Sequence, residues 1–342
     1  MHLWDLGTLE RDRSAPLPDA VTRDNIHQIC MGSASLGPLF VYLPREKRTV
    51  AVDLKSLQTV EVRWQHWAPN NAYGPLNMRA SPDGSVLIGW GGGWAGLGVA
   101  TFSDGRQTGT NEKLEFWAGH GAYALPSADA QLIFTPWAIV NRAFTSAKVP
   151  DLQGAFVMPA AEPGYFLALP GMCNVGTPPP NAQPAGEVSF YTEDRKRLFF
   201  LRGLDELKAK SDLPWEKRIH YYPRAGLLLT LGGTADHLVL RRVDLVAELD
   251  RSGVDYLVVL SRPPAARVGQ PFNYRLDLRS KKGGVKVKLE TGPAGLTVTP
   301  DGRVSWAVPP RFAEPEAEVL LTITDASGQE IAHTFTIAVG PG

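Results

Sequence analysis

Short runs of apolar residues recur along the whole chain, and they are separated by segments rich in Gly, Pro, Ser and Asp. Three early runs cover residues 39–43, 49–54 and 59–64. Their alternating or continuous apolar pattern, without the 3.6-residue period of helices, predicts strands joined by turns. The 34 Gly and 28 Pro of the 342 residues fit many such turns. The sequence therefore predicts an all-β chain.

The strand pattern repeats as a unit. Residues 77–90 hold two strands around the turn Asp83-Gly84, and a third strand at 98–102 precedes a second Asp-Gly pair. Looser copies occupy 122–134 and 219–245, which gives about five units before residue 260. A spacing of about 40 to 50 residues per unit is typical of four-stranded propeller blades. One stretch, 204–211, predicts a short helix.

Two short motifs carry a family resemblance for residues 1–260. The turn Ser81-Pro82-Asp83-Gly84 and the opening His2-Leu3-Trp4-Asp5-Leu6 resemble Trp-Asp-repeat and YVTN-like bacterial propellers, in which Trp-Asp closes the third strand of a blade. The resemblance implies a β-propeller that begins within a blade. Either the last strand closes the ring onto the first, or the chain is the C-terminal part of a longer protein.

The composition changes after residue 260. A Pro-rich junction at 262–270 precedes strict alternation in the segments 272–278, 285–289, 296–298, 304–308, 319–324 and 334–339. One buried and one wet face per strand is typical of a two-sheet sandwich. We therefore expect a propeller over 1–260 and a β-sandwich over 261–342.

The C-terminal segment also resembles a known family. Residues 268–270, 292–298, 301–306 and 324–328 resemble the immunoglobulin or dystroglycan-type cadherin-like modules of bacterial surface and multidomain proteins. In such a sandwich, Asp301-Gly302 is expected to form a hairpin turn, Trp306 to fill the space between the sheets, and Ser327-Gly328 to reverse the chain.

Cadherin-like modules bind calcium between domains, so the resemblance makes calcium a candidate ligand. Calcium needs six or more converging oxygens. Asp277, Asp301 and Asp325 are isolated in the sequence, without a cluster of acidic neighbours. No metal site, cofactor or catalytic residue is therefore predicted.

Charge and hydropathy narrow the classes of partner. Lys plus Arg and Asp plus Glu both number 35, which disfavours nucleic acid as a partner. No apolar run approaches the ~18 residues of a membrane helix, so we expect no direct membrane insertion. Cys30 and Cys173 indicate neither a disulfide framework nor a zinc site. An extracellular, periplasmic or cell-surface location is favoured over the cytoplasm.

Candidate binding residues are aromatic or lie in irregular segments. Trp90 and Trp94, in the glycine-rich segment 89–98, present planar surfaces for a sugar ring or a protein side chain. The alternative for each is that it fills the core. The 170–184 segment has no strand pattern, and long loops of this kind are functional or inert insertions. The predicted binding residues are Trp90, Trp94, Trp64, Trp67, Trp137, His120 and Asn174.

These features favour a non-enzymatic binding or scaffold protein. In this hypothesis the propeller rim recognises a protein or a glycan, and the sandwich is a spacer or an adhesive module. The alternative is a hydrolase or polysaccharide-degrading enzyme with two opposed carboxylates in the central channel. A third hypothesis treats both modules as spacers in a longer surface protein.

Overall fold

The computed structural model describes most of the chain. The described residues are 2–5, 7–16, 21–64, 77–91, 96–103, 105–113, 123–136, 138–144, 146–147, 152, 155–170, 186–208, 211 and 213–342. They form two compact units, one of residues 1–126 with 142–144 and one of residues 127–141 with 145–342. Among the described residues, no helix combines the length and hydropathy that a membrane crossing requires.

The first unit consists of a hairpin and two antiparallel meanders. The hairpin strands pair only with each other in the described part of the chain, whereas each meander is a four-stranded sheet of consecutive strands. The strands are β1 (His2–Trp4), β2 (Arg11–Ser14), β3 (Gln28–Cys30), β4 (Leu39–Leu43), β5 (Arg48–Val52), β6 (Thr59–Val62), β7 (Asn77–Ala80), β8 (Val86–Trp90), β9 (Leu97–Ser103), β10 (Arg106–Lys113) and β11 (Leu125–Pro126). A 3-10 turn covers Arg23–Asn25.

The second unit continues the series of meanders. Strands β12–β14, β15–β18 and β19–β21 form successive antiparallel sheets. These strands are β12 (Leu132–Phe134), β13 (Ile139–Asn141), β14 (Ser146–Ala147), β15 (Phe156–Pro159), β16 (Tyr165–Leu169), β17 (Glu187–Thr192), β18 (Arg197–Arg202), β19 (Ile219–Tyr222), β20 (Leu227–Leu231) and β21 (Leu238–Arg242). Two helices, α1 (Asp205–Lys208) and α2 (Leu245–Ser252), and a 3-10 turn at Trp215–Lys217 flank the last sheet.

Consecutive meanders pack face to face. In the first unit, Phe40 of β4 meets Phe102 of β9 with ring centroids 4.9 Å apart, inside a core shared by the two sheets. In the second unit, Phe134 lies 5.4 Å from Phe166, and Phe190 lies 4.9 Å from Tyr221. Four-stranded meanders that stack in chain order are the structure of propeller blades. The all-β fold class with propeller blades is therefore confirmed.

The same turn precedes β8 and β12. The buried Ser81 hydroxyl donates to Asp83 Oδ1 at 2.6 Å and accepts from the Val86 amide at 3.0 Å. Ser127 makes the same bonds to Asp129 and to the Leu132 amide. The looser repeat that the sequence indicated is thus the same turn, in which a hydroxyl and a carboxylate replace water at buried backbone amides.

The C-terminal residues form the expected two-layer sandwich. One sheet has the order β23-β30-β29-β26, a second has β24-β28-β27, and β22 pairs with β25. The strands are β22 (Leu257–Val259), β23 (Ala266–Arg267), β24 (Pro271–Arg275), β25 (Leu278–Ser280), β26 (Lys286–Thr291), β27 (Leu296–Val298), β28 (Arg303–Ala307), β29 (Glu316–Thr324) and β30 (Glu330–Gly340). Strand β22 precedes the Pro-rich junction, yet it pairs within the sandwich.

The sandwich has its own core, and Trp306 is at its centre as expected. The Trp306 side chain is buried, its Nε1 donates to the Ala294 carbonyl at 3.1 Å, and its ring meets Phe312 edge-on at 5.1 Å. Gly302 and Gly328 adopt positive φ angles of 81° and 78° in the turns that the sequence placed there. The immunoglobulin-like sandwich is therefore confirmed.

The helix predicted at 204–211 is present as α1, but the strand predicted up to residue 245 is wrong at its end. Strand β21 stops at Arg242, and α2 begins at Leu245. Asp244 caps this helix by accepting the Ala247 amide at 3.0 Å, and Gly253 ends it in the left-handed region. A capped helix start competes with strand extension at this point.

The turn bonds predict a measurable loss of stability. Ser81→Ala leaves the buried Val86 amide without its acceptor, so we expect the free energy of unfolding to fall by about 1–3 kcal/mol. Urea unfolding followed by tryptophan fluorescence measures the change. Ser14→Ala, at an exposed position on β2, is the control, and its effect should stay within about 0.5 kcal/mol. Equal midpoints for the two variants would contradict the role given to the turn.

Candidate functional site

The tryptophans predicted to bind a partner divide into two groups. Trp90 ends β8 and is only 3% exposed, with the Arg79 guanidinium 5.6 Å from its ring centroid. Trp64 is half-buried and packs against the core between the first two meanders. Both positions match the core-filling alternative. The remaining predicted residues, Trp67, Trp94, Trp137, His120 and Asn174, lie outside the described residues.

The sheet β19–β21 carries an exposed apolar surface. Its register places eight residues on one side, here called the open face. They are His220, Tyr222, Leu227, Leu229, Leu231, Leu238, Leu240 and Arg242. Leu238 and Leu240 are 59% and 61% exposed, and Tyr222 is 38% exposed. The other three leucines are half-buried. Several large apolar side chains on one rigid sheet form a patch of the kind that marks interaction sites.

The opposite side of the same sheet packs against the preceding sheet. Tyr221 and Leu228 are buried there, and Tyr221 meets Phe190 of the preceding sheet edge-on. Desolvation raises the pKa of Tyr221, because the phenolate would lie in this apolar layer. Because one side of the sheet is packed, the exposure of the open face does not come from loose packing of the whole sheet.

An ion pair holds β21 onto this packed side. Arg241 Nη2 donates to Glu206 Oε2 at 2.8 Å, and both Arg241 Nη1 and the Thr230 hydroxyl bond to the other oxygen of Glu206. Desolvation opposes ionisation of Glu206, but the bonds from Arg241 and Thr230 lower its pKa overall. The bidentate contact fixes the strand that carries Leu238 and Leu240.

The sandwich contacts the blade sheets directly within the second unit. The Thr336 amide of β30 donates to Gln131 Oε1 at 2.8 Å, and Lys196 Nζ donates to Gln329 Oε1 at 3.1 Å. At Gly164, whose φ is +96°, an added Cβ would come within 2.7 Å of Leu260. Two turns of neighbouring meanders therefore contact β30 and the turn that precedes it, and no side chain fits at Gly164.

Acidic and phenolic groups lie beside these contacts. Glu193 occupies the turn after β17, and its Oε1 is shielded from solvent without a hydrogen-bond partner among the described residues. Desolvation and the neighbouring charge of Asp129 raise the pKa of Glu193 well above its usual range. Burial also raises the pKa of Tyr165 to about 12, and Arg279 of the sandwich opposes this shift. Both groups favour their uncharged forms.

The carboxylates considered for calcium have other roles. Asp301 accepts the Thr299 hydroxyl at 2.5 Å, and Asp325 accepts the Ser280 and Ser327 hydroxyls at 2.6 and 2.5 Å. Asp277 lies 3.8 Å from Arg224. In the part of the chain that the structure describes, no three His, Cys, Asp or Glu residues form a metal-binding group. These three aspartates stabilise turns and a surface ion pair.

Sequence reasoning missed the open face and the contacts of the sandwich. A signal for the open face was present, because Leu238 and Leu240 alternate with Val239 and Arg241 in a strand that ends at an exposed arginine. The contact between Gln131 and Thr336 joins residues 205 positions apart. No local pattern indicates a bond of that range.

The topology defines an all-β protein with propeller blades and an immunoglobulin-like sandwich. Residues 256–340 match the family described as Putative Ig domain. No curated protein matches the chain.

Several solved structures are similar in shape. The β-propeller domain of Myceliophteria thermophila Cps50 (Swd1) aligns with a TM-score of 0.42 at 10% identity, covering 97% of this chain and 88% of that one. Kluyveromyces lactis Hsv2 aligns with a TM-score of 0.40 at 11% identity, covering 98% and 91%. The extracellular domain of the "putative hybrid two component system" of B. thetaiotaomicron gives 0.39 at 11%, covering 99% of this chain and 47% of that one.

The environment of Glu193 predicts a pH dependence. A carboxyl group whose pKa is raised in the folded state binds more protons there than when unfolded, so stability falls as the pH rises above about 4.5. Glu193→Gln removes this proton linkage. We expect the variant to equal or exceed the parent chain in free energy of unfolding at pH 7, with the difference shrinking toward pH 4.

Urea unfolding at several pH values between 4 and 7 measures this difference. The control is Glu330→Gln, which alters an exposed carboxylate on the same sandwich strand that contacts the blades. Its profile should run parallel to that of the parent chain. A parallel profile for Glu193→Gln as well would show that Glu193 ionises normally in the folded protein.

Proposed function

We propose that this chain is a non-enzymatic binding or scaffold protein that recognises a protein partner through the open face. The observation that carries the proposal is the exposure of Leu238 and Leu240 on a sheet whose other side is packed and pinned by an ion pair. A rigid apolar surface loses little conformational entropy when it is covered, which favours its use in binding.

The chemistry of the open face supports a protein partner over a glycan. Sugar rings stack on aromatic side chains, whereas His220 and Tyr222 are the two aromatic residues among the eight on this face. Five leucines instead match the branched apolar side chains of another protein. The predicted contact with a protein or a glycan through Trp67, Trp94 and Trp137 remains a separate proposal.

The contacts of the sandwich support a role as a fixed part of the binding protein. Hydrogen bonds from β30 and from Gln329 reach two blade turns, and the strand pair β22–β25 lies close to Gly164 through Leu260. A module held in this way acts as a rigid support more readily than as a freely rotating spacer. The hydrolase alternative, with two opposed carboxylates in the central channel, remains a separate proposal.

The type of propeller blade and the location of the protein are part of the same proposal. The resemblance of its motifs supports blades of the Trp-Asp-repeat or YVTN-like type. The resemblance of 263–339 to sandwich modules of bacterial surface proteins supports an extracellular, periplasmic or cell-surface location.

Binding screens with matched variants test the proposal. Displayed protein segments and an array of glycans are probed with the full chain, with Leu238→Ser/Leu240→Ser, and with Leu36→Ser. We expect protein ligands whose affinity falls at least about tenfold in the double variant, since each truncated apolar contact costs roughly 1 kcal/mol or more. Leu36 is 84% exposed and lies in the other unit, so its replacement is the control.

Two results would overturn the proposal. Ligands found only on the glycan array would assign binding to a different chemistry. Protein ligands that bind the double variant as tightly as the parent chain would place the site elsewhere.

A further inference from the structure

The sheet β19–β21 has an unpaired edge as well as an open face. It contains three strands, whereas β3–β6, β7–β10 and β15–β18 contain four each. In the described part of the chain β21 pairs only with β20, and α2 follows where a fourth strand would begin. An edge strand of this kind offers a row of backbone donors and acceptors to another strand.

The hydrogen-bond pattern identifies which groups face outward. The Val243 amide donates to the Gly226 carbonyl at 2.8 Å, so Val243 belongs to the set whose backbone groups face β20. In antiparallel pairs this orientation alternates along the strand. Val239 and Arg241 therefore face β20 as well, and the backbone groups of Leu238, Leu240 and Arg242 face away from the sheet.

Charges of opposite sign lie at the two ends of this edge. Asp236 lies two residues before the start of β21 and is exposed, with its carboxylate oriented by the Thr234 hydroxyl and by His237 Nδ1, each 2.6 Å away. Arg242 ends the strand and is also exposed. Arg241 is already engaged by Glu206 on the packed side, which leaves Arg242 as the cation at the outward edge.

We infer that β21 pairs antiparallel with β21 of a second copy of this chain, centred on Val239. This register places Leu238 of each copy opposite Leu240 of the other, so that residues with outward-facing backbone groups meet in hydrogen-bonded pairs. It also places Asp236 of each copy beside Arg242 of the other. A shift of two residues toward the C-terminus would instead oppose Asp236 and Asp244, two like charges.

The pairing is isologous, because the same edge is used by both copies about a twofold axis. Leu238 and Leu240 of the two copies become cross-strand neighbours, which removes part of their surface from water. The two sheets join into one, and the two open faces become continuous. The inference goes beyond the proposed function, since it concerns the edge of β21 and names its occupant.

Reversing the charges of Asp236 and Arg242, at the two ends of the paired edge, tests the proposed register between the two copies of β21. Sedimentation equilibrium of the full chain is expected to show a reversible dimer. Asp236→Arg and Arg242→Asp each turn both end contacts from attraction into repulsion, so each variant alone should raise the dimer dissociation constant by about tenfold or more. An equimolar mixture of the two single variants should dimerise at least as well as the parent chain, because every end contact between unlike copies is then attractive.

The controls are Glu330→Arg and Lys286→Asp, which make the same changes of charge at exposed positions in the sandwich. They should leave the dissociation constant unchanged, and circular dichroism checks the fold of every variant. A monomer at all accessible concentrations overturns the inference. So does a dimer that the Asp236 and Arg242 variants leave intact, or a mixture that fails to recover association.

The outcomes remain separate from those of the proposed function. If the chain is monomeric but still binds protein segments through Leu238 and Leu240, the edge pairing is wrong and the proposed binding face stands. If the dimer responds to the charge exchange as expected but the binding screens give no ligand, the edge pairing stands and the proposed recognition of a protein partner is wrong.

Discussion

Within each compact unit, the packing of one meander against the next is the constraint on which the rest of the blade structure depends. Phe40 against Phe102, and Phe190 against Tyr221, bury the sheet faces that the strands share. A sheet is stable in this arrangement only when at least one face is covered. The last sheet meets this requirement through one face alone, which leaves its other face free for a different task without loss of the fold.

Much of the fold could be predicted because strand periodicity and turn chemistry are local. The Asp83 and Asp301 turns, the sandwich strands and the core position of Trp306 all follow from short patterns. The end of β21 was missed even though its signal is local too. Asp244 and Gly253 are helix-capping residues, and the helix that Asp244 begins ends the strand that the apolar run before it predicts.

The candidate site could not be predicted in the same way, because exposure depends on which neighbours are present. Leu228 and Leu240 belong to similar leucine-rich runs, yet one is buried and the other is 61% exposed. Periodicity assigns each residue to a face and cannot say whether that face is covered. Trp90 illustrates the converse case, since its glycine-rich surroundings suggested an exposed loop while the side chain fills the core.

The sandwich and the open face belong to the same compact unit, and this has a mechanical consequence. Hydrogen bonds at Gln131 and Lys196 connect β30 and the turn before it to two blade turns, while the stack of sheets connects those turns to β19–β21. A partner that covers Leu240 therefore meets a surface whose orientation relative to the sandwich is set by packed contacts.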